Sequence, residues 1–578
     1  MDKGVGCVII DEKDYYEKLD LIVNDNTRFT KLNYKVEAST IKEGKTAPWI
    51  EKEKQVIYYC STYLKSIVDK STYWRVYPQG SQPGRLYGMA KIHKPNCPMR
   101  PVLSAIGTPE YSLAKWLEDK LKPYLVDPFS VKSSALFIEE LSTIKPNPSD
   151  ICVSFDIKSL YTNVPLKEVI KDIITVVYDK SAKSSFFQDN KISKTVLKNM
   201  LIHCSEPIFL YKQEVYKQSD GVAMGSPLAP LLANWFVSKI EKNILSDIRH
   251  RRYKPTLYRR YVDDVFAVFR SHKDRDEFFE VLNKAHKNLK FTMESSTTNN
   301  MLPFLDISIS IQNETFTTKV YRKPSNTHIL MNYKCVAPTK WKSSLVKCLL
   351  NKDYRISSSH EFFIEEVAQI ETILTQNDYP KSMFQNVIKD FIEFQNIGSE
   401  NFKANVKKPD ESKQHDTTEK VFFTIPYLGK PSIRLQNHIK KEIKNYGVVI
   451  TAAYKTTKVS NYFSLKTRCP DLFTSNVIYK FTCSQNETIS YIGETRRQLF
   501  RRAEEHLKTD KSSAVFEHIS SCEKCQNSNN IMESFKIIKL CSPNNILTFE
   551  AMMIANEKPI LNIQLGPGKG TLTSLTLY

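Results

Sequence analysis

Asp263 and Asp264 stand side by side inside an apolar run, LYRRYVDDVFAVF (257–269), and a third carboxylate, Asp156, closes the run ICVSFD (151–156). Carboxylates are hard oxygen ligands, and several of them projected from a β-framework are what two divalent cations about 3.5–4 Å apart require for an in-line phosphoryl displacement. Adjacent acids are more often a solvated turn, but here the flanking arms are apolar and β-prone. The elements that must position them follow. Residues 151–156 read as a short strand ending on its acid, and 257–269 as a hairpin with both aspartates at the tip. Between them GVAMGSP (221–227) is a glycine-containing turn. It precedes a helix whose apolar positions Leu228, Leu231, Leu232, Trp235 and Phe236 follow helical spacing, and Pro227 sits where a first turn tolerates proline.

A second group lies near the C-terminus. VIYKFTC is followed by Tyr491-Ile492-Gly493, with eleven residues between Tyr479 and Tyr491, and then by ETRRQLFRRAEEH, a helix bearing Arg502 and, one turn on, His506. Far downstream, Phe549-Glu550-Ala551-Met552-Met553 places one acid in an apolar helical stretch, where a carboxylate is expensive unless it is paired or binds a metal. Hydrolysis of a phosphodiester needs a metal-bound acid, a cation for the developing charge and a base for water, and Glu550, Arg502 and a tyrosine supply those types. Cys522-Glu523-Lys524-Cys525 is half of a zinc site, for which Cys469, Cys483, His506, His518 and Cys541 are the candidate completions, the alternative being unliganded thiols.

The 578 residues exceed what one core supports, so several domains are expected. With 41% apolar and 25% charged residues the chain is an ordinary folded protein. Its net charge of +20 favours a polyanion, nucleic acid first. The longest apolar stretch, interrupted at Pro230 and Asn234, is far short of a bilayer span. The N-terminus lacks the order of a signal peptide, so the twelve cysteines are expected to be reduced thiols in a cytosolic or nuclear setting. Residues 398–420 lose almost all apolar character and read as a linker.

The order and wording of these segments resemble the reverse transcriptases of Penelope-like retroelements: SFDIKSLYTNVPL around Asp156, GVAMGSPLAPLLAN at Gly221, RRYVDDVFAVF around Asp263, then LPFLDISI and VYRKPSNTHI. The likeness runs upstream through RLYGMAKIHKPNCPMRPVLS to DKGVGCVIIDEKDYYEK, and downstream to a segment that resembles a GIY-YIG endonuclease, with Val477-Ile478-Tyr479 in place of Gly-Ile-Tyr. Because the chain opens on the family's leading motif, further sequence ahead of it in a longer protein is also expected. The resemblance implies an α+β multidomain architecture: a right-hand reverse transcriptase with fingers, palm and a mainly helical thumb, and a small C-terminal α/β GIY-YIG nuclease. The expected spans are an N-terminal segment (1–80), fingers and palm (81–335), thumb (336–397), linker (398–420), basic connector (421–474) and nuclease (475–570).

By the same resemblance, Asp156 and Asp263 hold two Mg²⁺ ions with Asp264 as auxiliary acid. Tyr161 clashes with a ribose 2′-hydroxyl, Lys91, Lys94 and Arg100 grip the triphosphate, and Gly225 and Ser226 let backbone approach the nascent base pair. Lys287 or Lys290 is a weak candidate for protonating pyrophosphate. Tyr479, Tyr491, Arg502, His506 and Glu550 form the nuclease site, with Glu550 as sole carboxylate ligand of one Mg²⁺. The family often pairs cysteines after the first nuclease strand; here Cys483 is followed by Ser-Gln-Asn, leaving Cys483, Cys522 and Cys525 as the candidate ligands of a structural Zn²⁺. The implied activity is RNA-directed DNA synthesis by a retrotransposon protein whose nuclease nicks target DNA and so primes copying. Its implied partners are the element's RNA, target DNA and dNTPs, with no membrane and with the nucleus as site of action. The rivals are a non-catalytic nucleic-acid-binding remnant and a telomerase-like polymerase working without its nuclease.

Overall fold

The computed structural model describes residues 8–35, 46–92, 94–179, 186–295, 301–395, 420–443, 449–458, 462–463, 469–528 and 531–562. Its centre is an antiparallel sheet in the order β7-β8-β4-β9, made of β4 (Ile151–Ile157), β7 (Leu257–Tyr261), β8 (Asp264–Phe269) and β9 (Phe291–Ser295). The period of two divides β4 and β8 between two cores. Val153, Phe155, Val265, Ala267 and Phe269 pack with the helices Leu166–Val177, Leu228–Ser246 and His272–Lys284, while Cys152, Phe266 and Val268 pack with Phe137, Leu302, Phe304, Ile307 and Ile309. The latter come from the helix Ser134–Thr143 and a three-stranded sheet of β10 (Leu302–Phe304), β11 (Ile307–Gln312) and β12 (Thr315–Val320). With both faces covered, β4 and β8 read as continuous apolar runs rather than as alternating ones.

A five-stranded sheet, in the span read as fingers, has the order β1-β6-β5-β2-β3, from β1 (Phe29–Lys35), β2 (Gly84–Ala90), β3 (Met99–Ser104), β5 (Ile208–Tyr211) and β6 (Glu214–Gln218). Residues 1–80, read as a segment preceding the fingers, contribute to this sheet and its core. β1 pairs antiparallel with β6, and the helix Glu12–Val23 buries Tyr15, Leu19 and Val23 against Leu86, Met99 and Leu103. The helices Thr339–Ile356, His360–Gln376 and Lys381–Gln395 occupy the span read as thumb, around Val346, Leu350, Tyr354, Phe363, Leu374 and Phe391.

Of the linker, only Lys420 falls within the described residues, and it opens β13. The connector beyond it is more than a basic helix. β13 (Lys420–Pro426) and β14 (Val449–Lys455) pair in parallel around the helix Lys430–Ile443, so FFTIP and VITAAY are strands of a β-α-β unit. The C-terminal module is an antiparallel sheet, β16-β15-β17, from β15 (Val477–Thr482), β16 (Ser490–Thr495) and β17 (Phe535–Leu540), flanked by the helices Leu499–Glu504, Ala514–Ser521 and Ile546–Glu557. Among the described residues no helix is long and apolar enough to cross a membrane.

Candidate functional site

Antiparallel register sets Asp156 opposite Asp264, and the N–H of Ile157 donates to the carbonyl oxygen of Asp263 at 2.9 Å. Three carboxylates thereby gather at one end of the central sheet. The hairpin turn consists of Val262 and Asp263, whereas Asp264, expected at the tip, is the first residue of β8. Val262 has φ +58°, a left-handed conformation that costs a β-branched residue about 1–3 kcal/mol and persists only if its surroundings enforce it.

The enforcement comes from Arg260, which is wholly buried. One of its Nη atoms donates to the carbonyl of Val262 and to Asn234 Oδ1, both at 3.1 Å, while Nε reaches Glu241 and the other Nη reaches Asp127, each at 2.7 Å. Glu241 also accepts from the Tyr258 hydroxyl at 2.8 Å. Sequence reasoning missed this network. Its signal was an arginine within an apolar strand and a glutamate within an apolar helix, since buried charges persist only when paired.

Tyr161 stands beside the acids. Burial raises the pKa of its phenol, the charge of Asp263 adds to this, and Arg100 opposes it, so three sequence-distant groups share one site. The Tyr161 carbonyl accepts from Val222 N–H at 2.8 Å, and Leu103 N–H donates to the Met224 carbonyl at 2.9 Å, fastening the 221–227 turn both to the segment after β4 and to β3. Gly225, at φ +121°, admits no other residue, because a Cβ there would lie 2.2 Å from the Leu103 carbonyl oxygen. Ser226 follows it in the same turn, its N–H bonded to the Ala223 carbonyl at 3.0 Å. Arg100 lies on β3, while half-buried Lys91 and exposed Lys94 belong to the loop joining β2 to β3. Lys287 and Lys290 are exposed, and the Lys290 amine is tied to the Asn283 carbonyl at 3.0 Å at the end of its helix.

In the C-terminal module the register pairs Tyr479 with Gly493. A Cβ on Gly493 would meet the Tyr479 hydroxyl at 2.6 Å and the Tyr491 ring at 2.7 Å, so glycine is what lets both phenols converge. The Tyr479 hydroxyl is hydrogen-bonded to His506 Nε2 at 2.7 Å, and His506 Nδ1 to Ser513 Oγ at 2.9 Å. Burial, reinforced by the Arg502 charge, lowers the pKa of His506 to about 4, so its imidazole is neutral at pH 7. Arg502 pairs with Glu505 at 3.2 Å and Asp510 at 3.3 Å. Burial raises Glu550 to about 7, and the neighbouring charge of Glu494 pushes the same way. A second carboxylate, Glu494, lies against Glu550, and its Oε2 is buried with no hydrogen-bond partner among the described residues.

The cysteine alternatives resolve into one cluster. Ligand atoms of Cys483, His518, Cys522 and Cys525 all lie within 4.8 Å of one another. Cys483 Sγ is 3.8 Å from Cys522 Sγ and 3.6 Å from Cys525 Sγ, and Cys525 Sγ is 3.9 Å from His518 Nε2. A tetrahedron with Zn–S bonds of ~2.3 Å has edges of about 3.8 Å, so the set fits Zn²⁺. Burial opposes ionisation of Cys483, yet hydrogen bonds from the backbone of Gln485 and Asn486 and from His518 bring its thiol down to about 6. His506 is engaged with Tyr479, Cys469 packs with Trp49 and Phe473, and Cys541 packs near Ile478, so none of the three belongs to the cluster.

Comparison with known families matches residues 92–331 to reverse transcriptase (RNA-dependent DNA polymerase) and residues 329–389 to the animal helix-turn-helix domain. The chain therefore contains a reverse transcriptase domain, followed by an animal helix-turn-helix domain that spans the helices Thr339–Ile356 and His360–Gln376 and enters Lys381–Gln395. No curated protein matches it. Solved structures to which the chain shows some similarity include telomerase from Candida albicans in complex with a fragment of telomeric RNA, at 13% identity over 64% of this chain and 66% of that one, TM-score 0.37. Apo telomerase from Candida tropicalis is 13% identical over 62% and 67%, TM-score 0.34. The RNA polymerase complex inside a dsRNA virus is 9% identical over 58% and 31%, TM-score 0.31. The chain spans about two thirds of the telomerase chains and a third of the viral one.

Proposed function

We propose that this chain is the protein of a Penelope-like retroelement, an RNA-directed DNA polymerase joined to a GIY-YIG endonuclease that nicks target DNA and supplies the primer. The observation that carries the nuclease half is the convergence of Tyr479, Tyr491, Arg502, His506 and Glu550 on one hairpin-and-helix module behind a reverse transcriptase domain. Asp156 and Asp263, with Asp264 beside them, would hold two Mg²⁺ ions, which would supply acidification of the primer 3′-hydroxyl and neutralisation of the triphosphate. Arg100 and the Lys91–Lys94 loop orient the phosphates, and the Tyr161 ring occupies the space a 2′-hydroxyl would need. In the nuclease, Arg502 faces the charge developing on the phosphate, neutral His506 holds the Tyr479 hydroxyl in place through Nε2, and Glu550 with Glu494 would offer carboxylates to one Mg²⁺. Cys483, His518, Cys522 and Cys525 would hold a structural Zn²⁺ that pins the end of β15 to two short helices, Ala514–Ser521 and Glu523–Gln526. The partners are the element's RNA, target DNA and dNTPs, and the site of action is the nucleus.

The test uses Glu550→Gln, which keeps the size of the side chain and removes its charge. Nicking of supercoiled DNA should collapse while extension of an annealed primer on poly(rA) continues, and new cDNA should join a pre-nicked target but not an intact one. Full nicking by this variant rejects the assignment of Glu550, and equal joining to both targets rejects the coupling.

A further inference from the structure

The C-terminal module is seated on the N-terminal segment without slack. Trp49 packs edge-on against Phe473 with ring centres 5.1 Å apart, and Phe473 against Phe500 at 5.5 Å. Glu53, wholly buried, accepts from the Ser81 N–H and hydroxyl at 2.9 Å and faces Arg501 at 3.3 Å, while Gln498 donates to the Ser81 carbonyl at 2.8 Å. A Cβ on Gly80 would lie 2.2 Å from the Arg496 carbonyl oxygen. Such a seam behaves as a domain core rather than as a hinge.

Along this seam runs a cleft of about 580 Å³ with one wall from each side. Tyr77 and Gln79 line the polymerase wall, and Glu494, Arg496, Arg497 and Arg502 the nuclease wall. Four arginines line it against Glu53 and Glu494: Arg497 and Arg502 share Glu505, Arg502 also pairs with Asp510, Arg501 faces Glu53, and exposed Arg496, with no acidic partner among the described residues, is left to meet an anion. Beside it stands an aromatic ledge, Trp74, half exposed, with its ring centre 5.5 Å from Tyr77. A basic groove flanked by accessible rings is how proteins grip single strands, and a cavity of this size takes a nucleotide or two, not a duplex.

We infer that this composite cleft binds a single strand of DNA and delivers it to the nuclease, its polymerase wall supplying the stacking platform and Arg496 a phosphate contact. The inference rests on the nuclease reading, because Glu494 and Arg502 belong to both cleft and site. It extends that reading by making the strand grip depend on residues more than 400 positions away from Glu550 in sequence.

The test uses the full-length chain with single-stranded oligonucleotides carrying 5-iododeoxyuridine, whose photochemistry joins it to stacked aromatic rings, followed by peptide mapping. An adduct on Trp74 or Tyr77 is expected, and adducts confined to other peptides overturn the inference. In parallel, Tyr77→Ala and Arg496→Glu should each raise KM for nicking roughly tenfold with primer extension and melting temperature unchanged. An unchanged KM in a nicking-competent protein overturns the cleft while leaving the nuclease intact. The Trp74 or Tyr77 adduct in a wild-type protein that never nicks upholds the cleft and rejects the nuclease reading instead. Equal adduct yield from the iodouridine RNA of the same sequence overturns the commitment to DNA.

Discussion

Asp156 lies directly opposite Asp264 across β4 and β8, with Asp263 held to the end of β4 through the N–H of Ile157. Like charges set face to face in a ladder are destabilising, so such a pair is retained for what it binds rather than for what it contributes to folding. Asp263→Ala removes one ligand from the displacement site. DNA synthesis should fall by roughly a thousandfold or more, as loss of transition-state charge stabilisation does, while nicking persists. Primer extension and plasmid nicking on the same preparation check this, and retained synthesis rejects the palm assignment.

The Arg260 network predicts a folding defect of a definite kind. Arg260→Leu leaves Glu241 and Asp127 without their partner and deprives the left-handed Val262 of its brace, at a cost of about 3–5 kcal/mol. The melting temperature should drop sharply, and adding Glu241→Leu should restore part of it because the stranded charge is gone. A single variant that melts with the wild type shows that the network is dispensable.

Local chemistry was legible and long-range pairing was not. The acids at 156, 263 and 264 could be read because strand, turn and carboxylate lie within a dozen residues of one another. Gly493 could be read as part of a motif, but its reason, two phenols within 3 Å of a missing Cβ, exists only after β15 and β16 pair. Arg260 and Glu241 are 19 positions apart on different elements, and β1 meets β6 across some 185 residues, beyond the reach of any local period. The connector was read for its charge, so the two β-prone runs flanking its helix passed unnoticed. His518 stood among several completions of the cysteine half-site, and only the packing of the helix Ala514–Ser521 beside β15 selects it.

The helical region after β12 gives a signed pH dependence. Arg322 holds Asp353 at 2.7 Å and also binds Glu366, fastening the end of β12 to two helices. Burial raises Asp353 to about 6 despite the arginine, so the native state holds its proton more tightly than the unfolded chain does. Stability from this group is therefore present below the ordinary aspartate pKa and is lost as pH rises through about 6. Arg322→Ala pushes the same group further up, so its melting deficit should be larger at pH 8 than at pH 5. Melting curves at the two pH values decide, and a deficit that is equal or larger at pH 5 contradicts the assignment.

The cysteine cluster makes the last prediction. Three thiols and an imidazole packed within 4.8 Å of one another repel as they ionise unless a cation sits among them, and Zn²⁺ matches both the donors and the spacing. Protein purified without chelator should contain about one zinc per chain, removal of which exposes the end of β15 and the two short helices to fraying. Cys525→Ser and His518→Ala should each lower the zinc content, measured by elemental mass spectrometry, and should lower the melting temperature of the C-terminal module while leaving primer extension intact. Nicking should fall with the zinc, because β15 carries Tyr479 four residues before Cys483. The control is Cys541→Ser, outside the cluster, which should change neither. Zinc-free protein that melts and nicks like the wild type after both substitutions would establish the four residues as ordinary thiols and imidazole.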